Sequence, residues 1–236
     1  MFYDYIRTKD ISDYGADKKL RFDAVLKIFQ EAAVAHSASV GYSADTYMGR
    51  GNIWILNRLM AHAEKFPDFA QELSVRTWSR GLDRFKGFRN YEIRADGEIC
   101  IKGSSIWLYI DIERKRPVRV TPQMYEDYQS ENVCNMCSMI DGWDRKDAEK
   151  YDRSVRVQLR PADFDINGHM NNIRYGELLS LASSDMDFTG KTVGLFYNHE
   201  IKPETEFVDV RIADEDKSRI VSIFDGDTLA CLCEII

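Results

Sequence analysis

Between Asp163 and Asn172 the chain reads D-F-D-I-N-G-H-M-N-N, which concentrates groups that can do chemistry. Asp163, Asp165, Asn167 and His169 fall at every second position, with Phe164 and Ile166 among the residues between them. In an extended chain alternate side chains share a face. Two carboxylates, an amide and an imidazole would then line one side, with apolar groups on the other. Directly afterwards, Asn171 or Asn172 is suited to cap a helix in which Ile173, Leu178, Leu179, Ala182 and Met186 follow helical spacing. A carboxylate that takes a proton, polar side chains that position water, and free N–H groups at a helix start are the parts of a hydrolytic site. A hydrophilic turn with a good cap would use the same residues.

The elements that must hold this stretch come in two rounds. In the first, Phe22, Val25, Leu26, Phe29, Ala32, Ala33, His36 and Val40 form one helical stripe that Gly41 is placed to stop. His36, on that stripe, reads as a hydrogen-bonded core residue before it reads as catalytic. Strands are expected at Ile53–Met60, Leu73–Trp78, Gly87–Arg94 and Ile99–Ile110, with a hairpin at Asp96-Gly97. A helical turn over Met124–Tyr128 and a polar connection follow. In the second round a strand at Val155–Leu159 leads into the polar stretch. Its helix runs from about Asn172 to Ser183, before strands at Val193–Ile201, Phe207–Ala213, Arg219–Asp225 and Leu229–Ile236. A helix followed by an antiparallel meander, twice in one chain, predicts an α+β fold in which two sheets each wrap a helix and join edge to edge.

Composition narrows the class. Apolar residues make up 44% and charged residues 30%, as in globular domains, and the net charge is −7. Nucleic-acid binding is disfavoured, because phosphate contacts need clustered Lys and Arg. No apolar run reaches the roughly 18–20 residues of a membrane span, and the first residues lack a signal-peptide pattern, which points to the cytoplasm. Cys134-x-x-Cys137 has the spacing of a zinc or redox pair, and Cys231 with Cys233 could complete four ligands. Their setting between two folded segments reads instead as free linker thiols, and neither a metal nor a cofactor is expected.

Four stretches together resemble the acyl-acyl carrier protein thioesterases, double hotdog enzymes of plants and bacteria. These are Glu31-Ala-Ala-Val-Ala-His36, Asn52-Ile-Trp-Ile-Leu-Asn-Arg-Leu59, Ser105-Ile-Trp-Leu108 with Arg114-Lys-Arg116, and, most specifically, D-F-D-I-N-G-H-M-N-N. The resemblance implies two tandem hotdog domains, each an antiparallel sheet wrapped around a long central helix. The first, 1–128, would hold the acyl-chain pocket; 129–150 would be linker; and 151–236 would carry the catalytic residues. It puts Asp165, Asn167 and His169 at catalytic positions. It matches the family's remaining carboxylate, on a strand after the helix, to Glu200. Plant members often follow that glutamate with cysteine; here Ile201 stands there, so no cysteine nucleophile is available.

The expected reaction is hydrolysis of fatty acyl-acyl carrier protein. Glu200 would act as general base, with direct nucleophilic attack as the lesser route. His169 and Asn167 would hold the water and the carbonyl, Asp165 would orient them, and backbone N–H groups of Asn171 and Asn172 would complete an oxyanion site. Trp54, Leu56, Phe29 and Trp107 are the candidates for lining the acyl tunnel. An acidic carrier protein suits either of two basic stretches: Arg114, Lys115, Arg116 and Arg119, or Arg80, Arg84, Lys86 and Arg89. An acyl-coenzyme A thioesterase and a non-catalytic acyl-binding protein are the alternatives. A homodimer stays open, since a double hotdog already pairs two halves within one chain.

Overall fold

The computed structural model describes residues 1–49, 51–144 and 147–236. In chain order, β1 (Phe2–Tyr5) precedes a 3-10 turn at Ile11–Asp13 and the long helix α1 (Phe22–Ser39). After α2 (Ala44–Gly49) comes the meander β2 (Asn52–Ala63), β3 (Leu73–Asp83), β4 (Lys86–Ala95) and β5 (Glu98–Asp111), with β6 (Arg116–Pro117) folding back on β5. Two short helices, α3 (Pro122–Tyr128) and α4 (Cys137–Gly142), carry the chain across. The second half has β7 (Arg153–Gln158), a 3-10 turn at Pro161–Asp163 and α5 (Asn172–Ala182). It closes with β8 (Lys191–Tyr197), β9 (Phe207–Asp214), β10 (Arg219–Asp225) and β11 (Thr228–Ile235).

The stripe on α1 is buried from Phe22 to His36, and the helix stops before Gly41, whose φ of +91° suits glycine. The strands form one antiparallel sheet in the order β1-β3-β4-β5-β2-β8-β11-β10-β9-β7, so the halves meet where β2 pairs with β8. The helices α1 and α5 pack together inside it. Gly176 permits their close approach, since a Cβ there would stand 2.5 Å from Leu26 Cδ1.

Two expectations change. The strand expected to run through Ile201 ends at Tyr197, because the N–H groups of Asn198 and His199 both turn to the Ala230 carbonyl and leave the ladder. The segment 129–150 is also not all connection. Ile140 of α4 is buried with Met60 and Ile106, and Trp143 lies over Gly194 while its indole N–H reaches Glu234 at 2.5 Å. This segment therefore fastens the seam between the halves from outside. Residues 145 and 146, within it, lie outside the described residues. Cys134 and Cys137 lie side by side in this segment, their Cα atoms 5.7 Å apart, while Cys231 and Cys233 are buried in the sheet. No described helix is long and apolar enough to cross a membrane.

Candidate active site

The polar stretch is not extended. After the 3-10 turn, a bridge between Phe164 and Met170 pinches residues 165–169 into a loop. The Asp165 N–H donates to the His169 carbonyl at 2.9 Å, and the Gly168 N–H to the Asp165 carbonyl at 3.0 Å. Gly168 takes φ +72° to close the turn. The four alternate residues therefore do not share one face, and Ile166 stands 88% exposed at the tip. Asp163 points inward and is buried, taking Nη2 of Arg160 at 2.7 Å with Arg174 Nε at 3.4 Å. Burial opposes its ionisation, but hydrogen bonds from Arg160 and the charge of Arg174 outweigh it and hold the carboxyl below the usual range. Asp163 is thus an anchor for the loop.

His169 and Glu200 meet. His169 Nε2 lies 3.1 Å from Glu200 Oε2, and both side chains keep about a third of their surface open, at 36% and 35%. Glu200 sits in the turn beyond β8 rather than on a strand. It is held there because the Met170 N–H donates to the neighbouring Ile201 carbonyl at 2.8 Å. Asp165 acts from beneath: its Oδ1 accepts the backbone N–H of Asn167 at 2.8 Å and of His169 at 3.3 Å. It orients the loop through the main chain, not through the imidazole. Asn167 is exposed on the same loop, with its amide 3.4 Å from Asp165 Oδ2.

The helix entry divides the two expected oxyanion donors. Asn171 caps α5 by accepting the Ile173 N–H at 3.1 Å, and its own N–H is donated to the Asp163 carbonyl at 2.9 Å. The Asn172 N–H has no acceptor among the described residues, while its side-chain amide reaches Gln30 of α1 at 3.2 Å. Of the tunnel candidates, Phe29 and Leu56 are buried in the core around α1, and Trp107 packs on that core with its indole N–H on Ser105 at 2.7 Å. Trp54 lies apart with a tyrosine cluster, its ring 4.9 Å from Tyr109.

The loop occurs twice in the chain, a repeat that the residue types along the sequence do not reveal. In the first half Tyr14 bridges to Leu20, the Gly15 N–H donates to the Lys19 carbonyl, and Lys18 takes φ +63°. The Leu20 N–H donates to the Pro67 carbonyl, as Met170 does to Ile201. Gly15, Asp17 and Lys19 stand where the second loop has Asp165, Asn167 and His169, and Phe66 stands where it has Glu200. The shared signal is Asp-aromatic, five residues, then a large apolar residue (Asp13-Tyr14 to Leu20, Asp163-Phe164 to Met170). The backbone scaffold is duplicated and its side chains are not.

The family description "Acyl-ACP thioesterase N-terminal domain" matches residues 6–128, slightly more than half of the chain. The chain belongs to the acyl-ACP thioesterase family. Curated members it resembles include an acyl-[acyl-carrier-protein] hydrolase of Cuphea viscosissima, 24% identical over 90% of this chain and 55% of that protein. Another is oleoyl-acyl carrier protein thioesterase 2 of Arabidopsis thaliana, 24% identical over 91% of this chain and 63% of that protein. Both are named chloroplastic, and the chain spans less than two thirds of their lengths. Among solved structures, the 12:0-ACP thioesterase from Umbellularia californica superposes with a TM-score of 0.83 at 19% identity, covering 100% of this chain and 95% of that one. An acyl-ACP thioesterase from Bacteroides thetaiotaomicron gives 0.78 at 17% identity, covering 100% and 96%. These likenesses establish the fold, two tandem hotdog units in one acyl-ACP thioesterase chain. The matched range 6–128 stops short of the loop that carries His169.

Proposed function

We propose that this acyl-ACP thioesterase family member hydrolyses fatty acyl-acyl carrier protein and releases free fatty acid, ending chain growth in fatty acid biosynthesis. The observation that carries the reading is the His169–Glu200 contact of 3.1 Å beside the start of α5. Glu200 takes a proton from water as the water oxygen bonds to the thioester carbonyl carbon. His169 fixes the carboxylate and the water, and Asn167 on the same loop reaches the carbonyl oxygen. The Asn172 N–H, at the positive end of α5, receives the developing oxyanion. The C–S bond then breaks, the proton held by Glu200 passes to the sulfur, and the products are a fatty acid and the carrier thiol. Phe29, Leu56 and Trp107 border the acyl chain. Asp163 and Asp165 hold the loop and take no proton.

The test is turnover of acyl-carrier thioesters of graded chain length, run beside the matching coenzyme A thioesters. Glu200→Gln and His169→Ala should each lower kcat at least about 100-fold with unchanged melting temperature. Near-normal turnover in either variant would sink the assignment, and a preference for coenzyme A thioesters would sink the choice of carrier.

A further inference from the structure

The two basic stretches that are separate in sequence become one surface when the sheet forms. One lies on the turn from β3 to β4, the other on the turn from β5 to β6 and just beyond it. Lys86 pairs with Leu108, Asp111 pairs with Arg116, and the Val120 N–H donates to the Arg84 carbonyl at 2.7 Å. Arg84, Lys86, Arg114, Lys115, Arg116 and Arg119 therefore crowd one end of the sheet. Five of them are exposed and Lys86 is half-buried. The other two cations leave the group: Arg80 is ion-paired with Asp141, and Arg89 is buried against His36.

The ridge is electrostatically unfinished. Elsewhere several surface arginines are paired, as in Arg76–Asp4, Arg153–Asp214 and Arg160–Asp163. Among the described residues none of the six ridge cations pairs with a carboxylate. They outnumber the local carboxylates Asp83, Asp111 and Glu113 by three, in a chain whose net charge is −7. Like charges gathered on one face repel, and a partner of opposite charge relieves that and is steered in by it.

The ridge lies at the end of the sheet that also carries the candidate site. Strand β2 starts at Asn52, paired with Asp111, and reaches Arg58, paired with Phe196 of β8. The Asn57 amide donates to the Tyr197 carbonyl at 3.3 Å, and Glu200 follows three residues later. Five strand residues at about 3.3 Å each put roughly 17 Å between the ridge and the end of β8. A thioester brought by a partner seated on the ridge must therefore reach His169 and Glu200 on a flexible arm.

We propose that this ridge docks the acidic body of an acyl carrier protein, so that its acylated arm extends along the sheet end to the His169–Glu200 loop. The inference rests on the hydrolase reading above. The experiment compares kcat/KM on an acyl-carrier thioester with kcat/KM on the acyl-N-acetylcysteamine thioester, a small uncharged probe with no protein body. In the variant Arg114→Glu/Arg116→Glu/Arg119→Glu the carrier-to-probe ratio should fall at least about tenfold through KM, and added salt should reduce carrier turnover of the wild type more than of the variant. Arg84→Asn, in which asparagine tolerates the φ of +52° at that turn, should lower the same ratio if the turns act as one surface. Lys150→Glu/Lys217→Glu, on exposed residues elsewhere, should leave it unchanged. An unchanged ratio in the triple variant, or an equal loss on both substrates, overturns the docking surface alone. A wild type that cleaves the probe and not the carrier thioester overturns the proposed substrate, and the docking with it.

Discussion

Acidification should weaken this fold through one side chain. His36 is fully buried on α1, with Tyr3 stacked on its ring at 5.4 Å and Tyr128 edge-on at 5.9 Å. Its Nδ1 lies 2.6 Å from Nη1 of Arg89, a buried guanidinium whose other contacts are the hydroxyls of Thr77 and Ser37. A guanidinium only donates, so Nδ1 must accept and the imidazole must be neutral. Burial first, then the charges of Arg89 and the N-terminal ammonium, lower its pKa from 6.5 to about 3. The folded state thus refuses a proton that the unfolded chain accepts below pH 6.5. Stability from this group is complete above that value and is lost as pH falls toward 3. At 1.36 kcal/mol per pKa unit the loss between pH 7 and pH 5 is about 2 kcal/mol, a large share of the roughly 5–15 kcal/mol that holds a typical domain. Urea denaturation at both pH values, on wild type and on His36→Gln, measures it. Glutamine still accepts from Arg89 but does not titrate, so the variant should lose about 2 kcal/mol less than wild type over the same interval. Equal losses in the two proteins would refute the argument, because the remaining titrating groups, Asp163 among them, are common to both.

Two further outcomes follow from contacts in the core and the loop. Asp165→Ala removes the acceptor for the Asn167 and His169 N–H groups and should lower kcat about 10–100-fold with little change in KM, whereas Asp165→Asn, which keeps one acceptor oxygen, should retain most activity; equal damage from both would assign Asp165 a charge role instead. Gly103→Ala would place a Cβ 2.2 Å from the Phe29 ring, which is fully buried and stacked on Tyr91 at 4.4 Å. It should cost about 1–3 kcal/mol by denaturation, and Phe29→Leu in the same chain should recover part of it; an unchanged midpoint would mean that the ring moves freely.

Much of the frame was legible because it is local. The α1 stripe depends only on a 3.6-residue period, and the Asp96-Gly97 hairpin only on which residues accept positive φ, which they do at +50° and +86°. The polar stretch is evident from its residue types, but its shape is not. Alternation suggested a strand, while Gly168 at positive φ and the Phe164–Met170 bridge fold it into a loop. The first-half copy of that loop was hidden because it keeps the backbone pattern and changes the polar side chains. Arg89 resembles a surface cation in sequence, since nothing in its neighbours along the chain indicates that His36, 53 residues earlier, waits for it inside.

The long helices α1 and α5, most strands, and an imidazole with amides at a helix entry are consequences of spacing within a few residues. The tertiary structure decided which partners meet. It brings Glu200 to His169 across 31 residues, joins two basic turns into one ridge, and consigns Arg89 to the core beside His36. Those choices depend on strand order and on where each turn leaves the sheet. Both are settled by burial of the two helices against opposite halves, which no short window of sequence contains.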